Sequence, residues 1–301
     1  MVVCWVSVMI STSVRDVYNS MFMEQVDHAS DVWLSCYVYY DDSADTCLVS
    51  DIWPLTRSLQ QSKQILSFFF IRYVDQRGPH IRLRLRVSSH QADTVKQSVK
   101  SVFPHVHFSA YVPEVRRYGG PAGLPVSEQL FEASSVVVLT QLAAATSWSS
   151  EMALGFALQL HLIMASSFGL RRDETARLFE HIAASFHHSD TAAAEQLQAN
   201  FEGQKTVAVR ARAYWNACIQ GNAPGPAWLS SWQTETKTIG AAIRKLQRSG
   251  ALTIPYKANH GPDQLWQLYE SYIHMTNNRL GVRNRDEPVI ANLISGALAK
   301  S

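Results

Sequence analysis

Residues 80–87, HIRLRLRV, alternate apolar and charged side chains with a period of two. That period belongs to a half-buried β-strand. Ile81, Leu83, Leu85 and Val87 fall on one face, and Arg82, Arg84 and Arg86 on the other. A sheet containing this strand therefore carries three guanidinium groups on one surface. One reading is an edge strand whose arginines are simply solvated and discourage aggregation. Against it, three like charges on alternate residues repel one another unless an anionic group or a carboxylate lies opposite.

The surrounding residues extend the strand pattern. VWLSCYVYY is aromatic and β-branched, SADT breaks it, and LSFFFIRYV is a dense apolar run, so 31–120 reads as strand-rich. After Gly119-Gly120 and the loop PAGLP the periodicity becomes helical. Helices are expected from Ser127 to Leu142, from Glu151 to Gly169, after a cap at Asp173, and at 191–220, 229–250, 263–280 and 286–299. The joints are the Pro/Gly-rich NAPGP at 222–226 and IPYKANHGP at 254–262. The fold class read from this order is α+β, with a strand-rich N-terminal third packed on a mainly helical C-terminal two-thirds. One domain over 1–301 is expected, with 31–120 and 121–301 as its two parts and 1–30 unassigned.

With 47% hydrophobic residues among 301, the chain can bury a sizeable core. Lys+Arg 27 against Asp+Glu 25 leaves a formal charge of +2, so no global field marks a dedicated nucleic-acid or membrane binder. Cys4, Cys36, Cys47 and Cys218 form no CxxC pair and no metal-ligand spacing, which reads as reduced thiols in a cytoplasmic protein without structural zinc. MVVCWVSVMI has neither a preceding basic residue nor a following A-x-A site, so a leading strand or an unstructured start is expected rather than export. The apolar stretches at 135–146 and 151–170 are interrupted by polar residues and give no membrane span.

Two further segments concentrate polar groups. In YVPEVRRYGG, 111–120, a helical turn begun at Pro113 would place Glu114 and Arg117 on one face. The alternative is an ordinary i,i+3 ion pair ahead of a flexible loop. In SYIHMTNNRLG, 271–281, a helix would set Ser271, His274 and Asn278 on one side, where His274 is either a chemical group or a hydrogen-bonded core histidine. GxSxG, HExxH, Walker and dinucleotide motifs are absent from the sequence. His187-His188-Asp190 reads as a helix end, and Trp228 and Trp232 as packing residues.

Taken in order, FFFIRYVD (68–75), GPHIRLRLRV (78–87), YVPEVRRYGG, SEQLFEASS (127–135) and SYIHMTNNRLG resemble the C-terminal elimination domain of class I lanthipeptide dehydratases, which also occurs free-standing in thiopeptide pathways. The resemblance spans roughly 31–300. It implies one of two activities: elimination of glutamate from glutamylated Ser or Thr to give dehydroalanine or dehydrobutyrine, or pyridine synthesis by aza-[4+2] cycloaddition of two dehydroalanines with loss of the leader peptide. A subunit that presents the peptide without catalysis is a third reading. The elimination branch uses paired arginines, a Glu/Arg turn and a helical histidine, and those positions here read Arg82, Arg84, Glu114, Arg117 and His274, all filled. Arg72, Arg116, Tyr118, Ser271, Asn278 and Arg279 lie in the same motifs and are expected to contact substrate. Of the adjacent arginines, Arg117 is favoured for the cleft because it directly precedes Tyr118-Gly119-Gly120. The resemblance further implies a leader-bearing precursor peptide, a separate glutamylating dehydratase that reads glutamyl-tRNA, no direct nucleic-acid contact, no cofactor and no metal; a homodimer is compatible with it.

Overall fold

The computed structural model describes residues 30–185, 205–221, 227–254 and 264–299. The expected N-terminal segment, the first part of the 191–220 helix, His187-His188-Asp190 and most of both Pro/Gly joints lie outside them. The fold is α+β. Strands β1 (Asp31–Tyr39), β2 (Ser67–Asp75), β3 (Gly78–Ser88) and β4 (His107–Ser109) form an antiparallel sheet in the order β2-β3-β1-β4. The strand-rich third is less purely stranded than expected, since α1 (Ala44–Cys47), a π-turn at Leu48–Ile52, α2 (Trp53–Gln61) and α3 (Ala92–Val102) are threaded between the strands. The SADT break is the start of α1, with the Ser43 hydroxyl capping the Thr46 amide at 3.0 Å.

The alternation in β3 does what its period requires. Ile81, Leu83, Leu85 and Val87 are wholly buried beside Cys36, Phe68 and Phe70 from the neighbouring strands and Val95 and Val99 of α3. Burying one such aliphatic side chain contributes about 1.5–3 kcal/mol, so a one-residue slip of register, which would turn this row outward, is strongly disfavoured.

The helical part consists, among the described residues, of α4 (Gly120–Ala144), α5 (Ser150–Ser167), α6 (Arg172–Ser185), α7 (Lys205–Ile219), α8 (Ala227–Arg248), α9 (Gln264–Leu280) and α10 (Glu287–Ala299). Helix α4 begins seven residues before the expected Ser127, taking in PAGLP. Pro121 sits in its first turn, where no intrahelical partner for the amide is needed, and Pro125 removes only one bond of the second turn. Gly119 and Gly120 are both left-handed, with φ of 89° and 78°. A Cβ at Gly120 would lie 2.8 Å from Cβ of Thr253, and Gly119 accepts a bond from the Thr253 amide at 3.0 Å. The Gly-Gly pair thus lets the chain before α4 pack against the chain after α8.

Strand β2 is an edge, and helices close it with side chains in place of another strand. The Phe70 amide donates to the Ser135 hydroxyl of α4 at 3.2 Å. The Arg72 amide donates to Asn278 Oδ1, and Asn278 Nδ2 donates back to the Arg72 carbonyl, both at 2.9 Å. Sheet and helices are joined at this seam, directly beside the arginine face.

Candidate active site

The arginine face of the sheet opens into a cavity of about 660 Å³. Its walls include Arg82, Arg84, Glu114, Arg117 and His274 together, drawn from a strand, a turn and a helix. Arg72, Tyr118 and Asn278 also reach it.

Arg82 and Arg84 have no carboxylate partner among the described residues, and the Nε atom of each is buried without a hydrogen bond. Aromatic rings hold them, and the described residues supply neither with the anionic group or carboxylate that would offset their repulsion. The Arg82 guanidinium lies 3.3 Å from the centre of the Tyr73 ring, and that of Arg84 lies 5.4 Å from Tyr37 and 5.7 Å from Tyr111. Register explains the stacking on Arg82, since Tyr37 lies directly opposite it on β1, and Tyr73, opposite His80 on β2, is its diagonal neighbour. Burial lowers the pKa of Arg84, which is 6% exposed. Arg86, the third arginine of the row, is the solvated one and pairs with Asp31 at 2.7 Å outside the cavity.

The turn at 113–118 forms as its sequence suggests, with the Arg117 amide donating to the Glu114 carbonyl at 2.9 Å. Arg117 Nη1 donates to Glu114 Oε2 at 3.2 Å, and its Nε donates to the Ser271 hydroxyl at 3.1 Å. Ser271 in turn donates to the Gln267 carbonyl, so α9 fixes the guanidinium through it. Arg116 is exposed and lies outside the lining, which leaves Arg117 as the cleft arginine. Tyr111 donates to Glu128 at 2.9 Å; burial, and then this acid, push its phenol far up.

His274 is a quarter exposed and is not a core histidine. Its Nδ1 lies 2.8 Å from Glu287 Oε1, and the Glu287 side chain is 1% exposed at the start of α10. Sequence reasoning missed Glu287. It lies on another helix, 13 residues from His274, with no spacing motif; only the DEP string that opens a helix marks the position, and that points to the helix dipole rather than to a histidine.

Three of the expected substrate contacts serve the wall. Arg279 is fully buried, donating to the Ser135 hydroxyl at 3.0 Å and the Met275 carbonyl at 2.7 Å, and burial pulls its pKa down to about 9. Ser271 stands behind Arg117. Asn278 spends its amide on β2, although its side chain borders the cavity. Arg72 lines the cavity and is tied to Asp45 at 2.6 Å.

A family model described as lantibiotic biosynthesis dehydratase C-term matches residues 33–298. The chain belongs to this family. Comparison with curated protein sequences gives no match. Among solved structures, the fold is similar to that of TbtD, the pyridine synthase from thiomuracin biosynthesis, with TM-score 0.69, 15% identity, and coverage of 89% of this chain and 98% of that one. It is similar to TsrL with TM-score 0.65, 16% identity, and coverage of 89% and 94%. It also matches the tRNA-dependent lantibiotic dehydratase MibB from Microbispora sp. 107891, with TM-score 0.58, 20% identity and 90% of this chain covered, but only 28% of MibB. Membership relates the chain to enzymes that modify ribosomal peptides. Among the described residues no helix is long and apolar enough to cross a membrane, and no group of three or more His, Cys, Asp and Glu converges as a metal site.

Proposed function

We propose that the chain is a lyase that removes glutamate from glutamylated serine or threonine in a precursor peptide, leaving dehydroalanine or dehydrobutyrine. One observation carries this reading: the guanidinium groups of Arg82 and Arg84 face the same cavity as His274, and neither is ion-paired to a carboxylate among the described residues. Glutamate leaves as an anion with a second carboxylate of its own, and fixed guanidinium groups suit both.

In this mechanism His274 Nε2 takes the α-proton of the acylated residue. The C–H electron pair forms the Cα=Cβ bond, the Cβ–O bond breaks, and the freed carboxylate departs toward Arg82 and Arg84. Negative charge gathers on the adjacent amide oxygen in the transition state, where Arg117, held by Glu114 and Ser271, supplies positive charge. Glu287 orients His274 and supports the imidazolium that forms. Glutamylation itself falls to a separate dehydratase that uses glutamyl-tRNA, so this chain binds the peptide and that partner rather than nucleic acid.

The aromatic lining favours pyridine synthesis as a second reading, because Phe69, Tyr73, Tyr111 and Phe131 suit a flat heteroaromatic peptide. Purified protein given a glutamylated peptide and, separately, a multiply dehydrated peptide separates the two. Release of free glutamate, abolished by Arg84→Ala and by His274→Ala, is expected. Pyridine absorbance with leader loss, and no glutamate, would overturn elimination; glutamate loss unchanged in both variants, with the partner present, would leave a presenting role only.

A further inference from the structure

Away from the active cavity, a groove of about 520 Å³ lies between α4 and α8. Its apolar walls are Val136 and Val137 of α4 and Trp228 and Trp232 of α8. Trp232 is held rigid, 2% exposed, by donating its indole N–H to the Leu160 carbonyl at 3.0 Å. The groove also contains Glu132 and Glu235, and no Lys, Arg or His among the described residues lines it. Among the described residues Glu132 accepts from neutral donors, the Phe68 amide and the Gln60 side-chain amide at 3.4 Å. Arg86, the cation acting on it, is already paired with Asp31. Burial, with Glu235 adding, pushes the Glu132 carboxyl up to about 7. Two carboxylates beside the half-buried Trp228 indole, without a counter-cation among the described residues, favour an organic cation with an apolar stem.

A row of half-buried rings connects this groove to the active cavity. Trp228 meets Phe156 at 5.4 Å, and Phe156 stacks on Trp148 at 5.2 Å. The Trp148 indole donates to the Leu280 carbonyl at 3.1 Å, and the next residue, Gly281, lines the active cavity.

We propose that the groove between α4 and α8 is a subsite for a lysine or arginine side chain of the peptide substrate, whose backbone follows the Trp228–Phe156–Trp148 row toward the cavity. This rests on the reading that the substrate is a peptide. The stem packs against the Trp228 ring and Val136, and the charged head meets Glu132 and Glu235. The subsite selects a basic residue at a set distance from the residue being modified, so it places the reacting position along the peptide.

Fluorescence anisotropy of the full chain with fluorescein-labelled Leu/Ala decapeptides carrying one Lys, or norleucine in its place, tests this. The Lys peptide is expected to bind about tenfold tighter, and added salt to erode the difference. Glu235→Gln, at an exposed position, and Trp228→Ala are expected to bring Lys down to norleucine. Equal binding of the two peptides, or a Lys advantage that survives Glu132→Gln/Glu235→Gln, overturns the subsite. Sedimentation showing a dimer that Glu235→Gln dissolves assigns the groove to a second copy and also overturns it. Glutamate release separates the readings: its absence in the wild type with a glutamylated peptide that carries the Lys refutes elimination and leaves the anisotropy result standing, whereas release from that peptide at subsaturating concentration that Glu132→Gln/Glu235→Gln leaves unchanged overturns the subsite.

Discussion

Glu287→Gln removes the negative charge behind His274 while keeping the shape of the side chain. The pair is short, 2.8 Å, and the carboxylate is 1% exposed, so solvent screens it little. A hydrogen bond to a charged group contributes about 1.5–3 kcal/mol. If the imidazolium formed on proton abstraction depends on that bond, its loss raises the barrier by the same amount. At about 1.4 kcal/mol per tenfold, kcat for glutamate release falls about 10- to 150-fold. KM should stay within about twofold, because Glu287 does not line the cavity. Stability should change little, since Glu287 Oε2 is buried without a hydrogen-bond partner and Gln buries no net charge. The assay is single-turnover glutamate release at saturating glutamylated peptide, with thermal unfolding alongside. A variant with wild-type kcat and an unchanged Tm would refute the reasoning. Were Gln to unfold the protein, Glu287→Asp keeps the charge and retracts it by one methylene, and an intermediate kcat is expected.

Asn278→Ala strips two bonds from the β2 edge and is expected to cost about 1–3 kcal/mol in urea unfolding, with activity falling because α9 carries His274. Gly120→Ala places a Cβ against Thr253 at positive φ; a loss above about 1 kcal/mol is expected, along with weaker catalysis as the Arg117 turn shifts. Glu132 has a folded pKa raised to about 7 against an unfolded value near 4.5, so the folded state binds its proton more tightly and the wild type loses stability as pH rises from about 4.5 through 7. Glu132→Gln flattens that slope and raises Tm at pH 8, which scanning calorimetry across pH reads directly; equal slopes would refute the assignment.

The legible parts of the molecule were those in which local periodicity and burial coincide. The alternation at 80–87 specified a strand with a core face and an arginine face, and the helical periods after residue 126 placed α5, α6, α8, α9 and α10 to within a few residues. The early start of α4 was illegible because Gly and Pro mark a break in isolation, yet both fit a first helical turn once Thr253 packs against Gly119-Gly120. In the site, the five residues of three separate motifs could be named from the sequence, but each motif alone also had an ordinary structural explanation.

Sequence by itself determined which side chains share a face of a strand or a helix, because backbone periods of 2 and 3.6 are local properties. Only the tertiary structure decided what those faces meet. It brought Arg82, Arg84, Glu114, Arg117 and His274 to one cavity, turned Arg116 to solvent, buried Arg279 behind the wall and set Glu287 against His274. It also stacked aromatic rings on Arg82 and Arg84, while Arg86 of the same row met the carboxylate of Asp31. The physical reason is that ion pairs, stacking and burial depend on distances across elements far apart in the chain, and no local period encodes those distances.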